Sequence, residues 1–310
     1  MKKFAILLAA VLLLLSGCSP YPMEKRSLST REAECTFEIF WVKNRKAAAD
    51  ALENLLLELD DRWAANYINS VPSQMNDKGT VLYLEDMDFL DQLEALRVRT
   101  DGAFDPMLHD VYALWGFVDG AHRVPSEEEL QTALEAEKWN VSAALQGYVS
   151  RRALQLLKSM GVEEAILWLG GCVQTVGLYK GKPWIIGIDN PAGGQFLGYV
   201  EVQADMTVAT AGEHQRFFEQ DGKRYHNILD PNTGMPADSG LRSVMVISSD
   251  GVVADALSTA LFVMGLEKAT ELWRQSEDFE AVFILDDGSV YATEGANFSG
   301  CDFTTIHRAG

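Results

Sequence analysis

Apolar residues recur at helical spacing through the first half of the chain and give way to short apolar runs between turns in the second half. Spacings of three and four residues place apolar side chains on one helix face, whereas short runs bounded by turns are typical of strands. The predicted helices are residues 44–67, 86–99, 126–139, 142–160, 252–264 and 266–276. The predicted strands are residues 165–169, 184–188, 196–202, 216–219, 243–247, 281–285 and 289–293.

Two of the predicted helix ends carry signals of their own. Ser126 followed by Glu129 is a capping-box start, in which each side chain pairs with the backbone N–H of the other. Gly161 directly follows the fourth predicted helix, at a position where a glycine commonly closes the last turn. Helices followed by antiparallel-looking strands predict an α+β fold with a mostly antiparallel sheet and flanking helices. No linker divides residues 35–305, so we expect a single domain there.

The first residues have the composition of an export signal. Two lysines precede an apolar run over residues 4–15, and Leu15-Ser-Gly-Cys18 ends the segment. The run is shorter than the roughly 20 apolar residues of a membrane-spanning helix. Its ending resembles bacterial lipoprotein signals, which implies removal of residues 1–17 and anchoring to the outer face of a bacterial membrane through lipidated Cys18. A plain secretory signal is the alternative, and residues 18–34 are predicted to form a tether.

The charge of the chain narrows the choice of partners. Removal of residues 1–17 would leave 24 basic and 45 acidic residues, a formal charge of about −21. Such a surface disfavours nucleic acid and anionic lipid as partners. Cys35, Cys172 and Cys301 remain besides Cys18, and their odd number and wide spacing predict neither a disulfide framework nor a zinc site. A Cys35–Cys301 bridge and three separate thiols both stay open.

A carboxylate and a hydroxyl stand four residues apart on the predicted helix 252–264. Asp255 and Thr259 therefore share one helix face. Their hard oxygen atoms suit Mg²⁺ better than zinc or copper. The structural alternative is an aspartate that stabilises the helix start and a threonine that bonds back to the preceding turn. Spacing alone favours this alternative, so the surrounding motifs decide between the two.

Those motifs form an ordered series. In Asn227-Ile-Leu-Asp230-Pro-Asn-Thr233-Gly-Met-Pro236, proline fixes φ and glycine permits a positive φ, which is typical of a tight turn. The other motifs are Ser70-Val-Pro-Ser-Gln-Met-Asn76, Gly102-Ala-Phe104-Asp105, Leu114-Trp-Gly-Phe117, Leu169-Gly170-Gly171, Trp184-Ile-Ile-Gly-Ile-Asp-Asn-Pro191 and Ala254-Asp-Ala-Leu-Ser-Thr-Ala260. Taken in their order along the chain, these motifs resemble the ApbE family of flavin transferases.

The resemblance implies a two-lobed, T-fold-like structure that binds FAD in a cleft, with Mg²⁺ near the diphosphate. Such enzymes cleave FAD and attach FMN through a phosphoester to a Thr or Ser of a partner, releasing AMP. The partners implied are exported flavin acceptors, either subunits of Rnf-type or Nqr-type (sodium-pumping quinone reductase) complexes or extracellular flavoproteins. The metal would neutralise charge on the diphosphate. Positioning of the reacting groups would supply most of the remaining catalysis. A Mg²⁺-dependent FAD pyrophosphatase and a non-catalytic lipoprotein that binds flavin or a partner are the alternatives.

The same resemblance assigns roles to individual residues. Asp255, Thr259 and the backbone carbonyl of Leu145 would hold the metal, and Asp230 with Asn227 would be catalytic. The residues expected to bind FAD are Asn76, Gly102, Phe104, Asp105, Gly147, Gly170, Gly171, Thr210, Gly212 and Thr233.

Several positions depart from the family pattern, on segments expected to touch flavin and phosphate. The family's Asp-Leu-Gly-Gly-Ile-Ala-Lys-Gly aligns with Asn140-Val-Ser-Ala-Ala-Leu-Gln-Gly147, so Gln146 replaces a lysine. Arg151 could supply the missing cation if it points inward. The family's histidine three residues before the Asp-Pro pair is Asn227 here. His226 lies one place earlier and is expected to point away, because successive strand residues face opposite sides.

Overall fold

The computed structural model describes residues 23–40, 42–77 and 83–308. The predicted signal segment and Cys18 lie outside the described residues. Within those ranges, none of the helices combines the length and apolar character needed to span a membrane.

Two strands and six helices make up the first half of the described chain, and a strand-rich half follows. The first strands are β1 (Met23–Ser29) and β2 (Glu34–Phe40). The helices are α1 (Arg45–Trp63), α2 (Val71–Asp77), α3 (Leu84–Arg99), α4 (His109–Leu114), α5 (Glu127–Leu134) and α6 (Ser142–Ser159). The next strands are β3 (Glu164–Leu169), β4 (Cys172–Val176), β5 (Trp184–Ile188), β6 (Gly198–Val202), β7 (Thr207–Gly212), β8 (Phe217–Gln220), β9 (Lys223–His226) and β10 (Leu241–Ser248). The last elements are α7 (Gly251–Arg274), β11 (Phe279–Leu285), β12 (Val290–Thr293), β13 (Phe298–Ser299) and β14 (Thr304–Ile306).

The strands form one large sheet and two small ones. The nine-stranded sheet has the order β1-β2-β3-β4-β7-β10-β11-β12-β14. Its pairs are antiparallel except for β12 with β14. A three-stranded sheet has the order β13-β6-β5, and β8 pairs with β9. The predicted α+β fold with a mostly antiparallel sheet is confirmed.

The large sheet is covered on both faces. Alternation along β3 and β10 sends Leu167 and Val246 to one face and Ile166 and Met245 to the other. The first face packs on helices α1, α3, α6 and α7, and the second packs on the three-stranded sheet. A third apolar cluster surrounds Trp115 and includes residues of α4 and α5.

The predicted helix ends are largely confirmed. Ser126 and Glu129 form the capping box, and Gly161 has a φ of 72° just beyond α6. Gly265 has a φ of 74° and breaks α7 between the two helices predicted there. Two helices are shorter than predicted: α1 ends at Trp63 rather than at 67, and α5 ends at Leu134 rather than at 139.

The predicted tether over residues 18–34 is wrong from Met23 onward. β1 pairs along its whole length with β2, from Met23 opposite Phe40 to Ser29 opposite Glu34. Arg26 binds carboxylates of α1 with N–O distances of 2.6 Å to Asp50 and 2.8 Å to Glu53. The strand escaped prediction because it is an edge strand whose side chains are exposed or half-buried, so polar residues suffice. The sheet therefore begins no later than residue 23, rather than at 35.

Helices α6 and α7 cross at backbone contact. A Cβ at Gly147 would lie 2.0 Å from the carbonyl oxygen of Gly251, and a Cβ at Gly251 would lie 2.2 Å from the carbonyl oxygen of Gly147. Backbone atoms on both sides cannot move aside as a flexible side chain can. Glycine at both positions is therefore a condition of this crossing.

We expect Gly147→Ala to lower the free energy of unfolding by about 3 kcal/mol, because the methyl group must separate two helices packed over the sheet. Urea unfolding followed by circular dichroism would measure the change. Gly222→Ala is the matched control, because Gly222 has a φ of 77° and a Cβ added there would meet nothing within 4 Å. Its loss should be only the left-handed strain of about 1 kcal/mol. Equal losses in the two variants would contradict the steric role of Gly147.

Candidate active site

Asp255 lies at the crossing of α6 and α7, and its carboxylate points at the backbone of α6. The Gly147 N–H donates to Asp255 Oδ2 with an N–O distance of 2.8 Å. The Gln146 N–H and the Cys172 thiol donate to the same carboxylate. Although Asp255 keeps a partly exposed edge, burial raises its pKa to about 7, and these hydrogen bonds only partly offset the effect. None of the groups that shift this pKa is a cationic side chain.

The oxygen atoms around Asp255 fit a divalent cation. Thr259 is one helical turn further along α7 and is likewise partly exposed. Leu145 is on the facing helix, next to the two residues whose N–H groups bind Asp255. A carboxylate, a hydroxyl and a carbonyl are the donors that Mg²⁺ prefers. A carboxylate has about four lone-pair sites, so two or three hydrogen bonds leave room for a metal. The predicted metal residues are thus brought to the two sides of one crossing.

The glycine pair between β3 and β4 lies beside the same crossing. Gly170 has a φ of 60°, and a Cβ built on it would lie 3.6 Å from Cγ of Gln146. Gly171 accepts a hydrogen bond from the Thr210 N–H with an N–O distance of 3.0 Å. Three of the residues expected to bind FAD, Gly170, Gly171 and Thr210, therefore lie together near the turn of α6 that faces Asp255. The missing Cβ atoms let Ala33 and the Thr210 carbonyl pack closely there, and both glycines stay exposed to solvent.

Gln146 also borders a small cavity on its other side. Glu32, Asp60 and Leu145 are among the residues that line it. Asp60 accepts hydrogen bonds from the Arg31 N–H and the Glu32 N–H. Burial raises the pKa of Glu32, although the Ala65 N–H donates to its carboxylate. The wall of this cavity therefore carries two carboxylates next to the position where the family has a lysine, and the Arg31 guanidinium pairs with one of them, Asp60, at 3.0 Å.

Other residues expected to bind FAD are engaged in the fold itself. Asn76 clamps the backbone of Trp139, accepting from its N–H at 2.8 Å and donating to its carbonyl at 3.0 Å. Gly102 has a φ of 78° and closes the end of α3 through its hydrogen bond to the Arg97 carbonyl. Phe104 is buried in the main core.

Asp105 and Gly147 also have local partners. The Met107 N–H donates to the Asp105 carboxylate, and burial raises the pKa of Asp105. Gly147 serves the helix crossing and donates its N–H to Asp255. Neither observation tests a contact with FAD, so these roles stay predictions.

The predicted catalytic loop 227–236 is held by the cluster around Trp115. The Trp115 indole N–H donates to the Gly234 carbonyl at 2.8 Å. Asp230 accepts from the backbone and side-chain nitrogens of Asn232 at 2.9 and 3.0 Å, and its own carbonyl accepts from Thr233 and Gly234. The carboxylate of Asp230 thus shapes the predicted turn. Thr233 is exposed at its tip.

Three residues lie at or near the positions where the family has a lysine or a histidine that this chain lacks, and each has different surroundings. Arg151 donates to Gln92 at 2.6 Å and pairs with Asp250, the N-cap of α7, at 3.5 Å. It is therefore committed to the start of α7. His226 is buried against Phe262 and accepts from the Ile228 N–H at 3.3 Å, so it points into the core. The backbone N–H of Asn227 is bound by the Arg216 carbonyl.

Sequence reasoning missed two side chains of this region. Cys172 directly follows the glycine pair, and its thiol donates to Asp255. His214 follows Gly212 by two residues, and its ring occupies the space that a Cβ of Gly212 would need. In the sequence, the signal for both Cys172 and His214 was that each lies next to a recognised motif. Gly212, expected to bind FAD, has a packing role toward this histidine.

Part of the motif series, namely Gly170-Gly171, Thr210 and the segment 254–260, meets at the α6–α7 crossing of this α+β fold. Comparison with known proteins names the class to which such a fold and motif series belong. The model of the ApbE family matches residues 32–283. The chain belongs to the ApbE family.

Individual relatives agree with this assignment. The chain is 34% identical over 220 residues to a FAD:protein FMN transferase of Klebsiella pneumoniae, covering 64% of this chain and 68% of that protein. It is 29% identical over 300 residues to a FAD:protein FMN transferase of Vibrio cholerae, covering 86% and 89%. The crystal structure of the ApbE protein of Thermotoga maritima is similar with a TM-score of 0.82 at 29% identity, over 88% of this chain and 97% of that one. The apo flavinyl transferase ApbE of Pseudomonas stutzeri gives a TM-score of 0.79 at 25% identity, over 91% and 98%.

The buried His226 should make the stability of the protein pH-dependent. Burial lowers its pKa, so below the ordinary histidine pKa of about 6.5 the unfolded chain binds the extra proton more readily. Stability that is present at neutral pH is therefore lost on acidification. Between about pH 7.5 and 5.5, we expect the unfolding free energy to fall by about 1 kcal/mol more in the unmodified chain than in His226→Gln.

Urea unfolding at both pH values would measure this difference. His307→Gln is the control, because His307 is exposed and pairs with Glu294. A His226→Gln variant with the same pH dependence as the unmodified chain would contradict the assignment.

Proposed function

We propose that this protein is a Mg²⁺-dependent FAD:protein FMN transferase. It cleaves the diphosphate of FAD, attaches FMN by a phosphoester to a Thr or Ser of an exported flavoprotein, and releases AMP. The observation that carries the proposal is the buried Asp255 carboxylate, which has no cationic partner among the groups that shift its pKa and stands one turn from Thr259. The relatives named FAD:protein FMN transferase support the reaction class.

Three groups would hold the metal: the Asp255 carboxylate, the Thr259 hydroxyl and the Leu145 carbonyl. When bound, Mg²⁺ supplies positive charge at the diphosphate, which stabilises the AMP leaving group. The residues of the chain do the positioning. The Gly147 and Gln146 N–H groups fix the orientation of Asp255, and the Cys172 thiol constrains it from the sheet side. This fixed carboxylate is the preorganised part of the site.

The glycine turn would admit the substrate. Gly170 and Gly171 present bare backbone beside Gln146, and Thr210 borders them on β7. A flavin nucleotide entering there would bring its diphosphate toward the α6–α7 crossing. Positioning of this kind is the main contribution that a protein makes to phosphoryl transfer.

Export belongs to the same proposal. The Leu-Ser-Gly-Cys18 segment supports lipidation and anchoring to the outer face of a bacterial membrane. The acceptor would then be an exported protein, such as a subunit of an Rnf-type or Nqr-type complex or an extracellular flavoprotein. The strongly acidic composition supports a protein partner rather than nucleic acid.

One observation favours a second candidate, a non-catalytic flavin-binding protein. Gln146 stands where the family has a lysine, and Arg151 is bound to Asp250 and Gln92 instead of replacing it. A site with fewer cations would stabilise less of the charge that develops on the diphosphate and would cleave FAD more slowly.

The deciding experiment uses the chain from Ser19 onward with FAD and Mg²⁺, with and without a flavin-free acceptor domain of an Rnf-type subunit. AMP release together with covalent flavin fluorescence on the acceptor is the expected result. AMP with free FMN and an unlabelled acceptor would point to a pyrophosphatase. A folded protein that releases no AMP in either case would support the binding protein.

Replacement of Asp255 should abolish the reaction without unfolding the chain. We expect Asp255→Asn to lower the rate of AMP release by at least about 100-fold, because the only carboxylate of the proposed metal site loses its charge. Calorimetry should show that Mg²⁺ binding is lost as well. Asp302→Asn, at an exposed position, is the control. Cleavage of FAD by Asp255→Asn at the unmodified rate would show that the metal site is wrongly assigned.

Gln146→Lys tests whether the missing cation limits the rate. We expect AMP release to rise on the order of tenfold, because an ammonium beside the glycine turn would balance phosphate charge. Gln146→Met, of similar length and uncharged, is the control. Equal rates in the two variants would mean that the lysine of the family is dispensable here, or that Glu32 and Asp60 hold its ammonium away from the substrate.

A further inference from the structure

His214 is an imidazole with no hydrogen-bond partner on either ring nitrogen. Both Nδ1 and Nε2 are enclosed, and neither has a partner among the described residues. An unpaired buried nitrogen costs about 1–3 kcal/mol, so a side chain that leaves two of them unpaired is a poor structural element. Buried polar groups left unsatisfied in this way call for an explanation, and a catalytic role is one of the recognised reasons.

The position of His214 connects it to the proposed site. Its ring packs on Gly212, where a Cβ would lie 2.6 Å from the ring Cε1 and 2.8 Å from Nδ1. Gly212 ends β7, two residues after Thr210, whose N–H binds the Gly171 carbonyl. Gln215, the next residue, places its Oε1 3.9 Å from where a Cβ of Gly171 would lie. The turn that carries His214 therefore adjoins the glycine turn through which the substrate would enter.

Three of the four other histidines in the described chain have contacts of their own. His226 is buried against Phe262. His122 stacks on Phe218 with its ring plane inclined by only 2°, and His307 pairs with Glu294. His109 of α4 also has an unpaired Nδ1, but the charged groups around it, Asp77, Asp110, Asp119 and Lys138, are none of those around His214. Asn227, which stands at the family's histidine position, has an amide side chain that cannot take up a proton.

The charges around His214 come from four elements. Asp189 after β5 and Glu213 in its own turn favour the protonated ring, whereas Arg242 of β10 and Arg224 of β9 disfavour it. Burial outweighs these effects and lowers the pKa of His214. The ring is therefore neutral at neutral pH and able to accept a proton.

We propose that His214 accepts the proton of the acceptor hydroxyl during FMN transfer. The inference rests on the proposed function. The hydroxyl oxygen of the acceptor Ser or Thr forms a bond to the FMN phosphorus of FAD, and the bond from that phosphorus to the bridging oxygen breaks. AMP leaves with the bridging oxygen. The hydroxyl proton passes to a ring nitrogen of His214, which first has to turn outward from its enclosed position in this half-buried side chain, and from there to solvent.

The test compares the unmodified chain with His214→Gln, His214→Ala and, as a control, His307→Gln. Each protein is given FAD, Mg²⁺ and the flavin-free acceptor domain of an Rnf-type subunit. Covalent flavin on the acceptor, AMP release and the dissociation constant for FAD are measured as functions of pH. Imidazole is then added to His214→Ala, because a small base that fits the gap can replace a missing proton acceptor.

The expected result has three parts. Transfer by His214→Gln falls on the order of 100-fold, the usual contribution of a positioned base, while the dissociation constant for FAD changes less than about twofold. The acid limb of the pH profile, below the ordinary histidine pKa of about 6.5, disappears in this variant. Imidazole restores part of the transfer by His214→Ala, and His307→Gln behaves as the unmodified chain.

Two results would overturn the inference while leaving the proposed function intact. One is transfer by His214→Gln at the unmodified rate. The other is a parallel loss of transfer and FAD affinity, with the acid limb unchanged and no effect of imidazole, which would make His214 a structural residue. If the unmodified chain labels no acceptor, the proposed function fails and the inference fails with it.

Discussion

The close contact of α6 and α7 is the constraint on which the rest of the structure depends. The carbonyl oxygen of each of Gly147 and Gly251 lies so close to the other glycine that neither residue could carry a Cβ. This distance brings the backbone of α6 within hydrogen-bonding range of Asp255 on α7. Both helices also cover the same face of the nine-stranded sheet. The proposed metal site is thus a by-product of how two helices pack, and it cannot be loosened without disturbing the core.

Much of the fold could be predicted because apolar spacing in this chain is regular. Helices α1, α3, α6 and α7 and strands β10, β11 and β12 lie within a few residues of their predicted positions, whereas α2 and α4 were not predicted. The central strands β4 and β7 escaped, and the reason is visible in the core. Thr207 donates to the Gln174 side chain at 2.6 Å, so two buried polar residues satisfy each other inside the sheet. A pattern based on hydrophobicity reads such residues as surface, because it cannot see a partner in a distant segment.

The candidate site, like the fold, could be predicted only where it depends on local sequence. The spacing of Asp255 and Thr259 and the order of the motifs depend on local sequence and family pattern. The contacts of Cys172 and His214 arise between segments far apart along the chain, and nothing local announces them. Glycines were ambiguous for a physical reason. A missing Cβ serves a ligand and a neighbouring helix equally well, and Gly147 and Gly212 proved to serve neighbours within the protein.

The order of the large sheet has a consequence for how the molecule opens. Its outermost strands, β1 and β14, are the first and last strands of the described chain, whereas β7 is the fifth of nine. Fluctuations that break hydrogen bonds start at sheet edges and reach interior strands only by near-global unfolding. Amide protons around Thr210 and Gly212 should therefore be among the slowest to exchange with deuterated solvent. A thermally stressed molecule would release its two ends first and keep the strand beside the glycine turn in place until the whole domain melts.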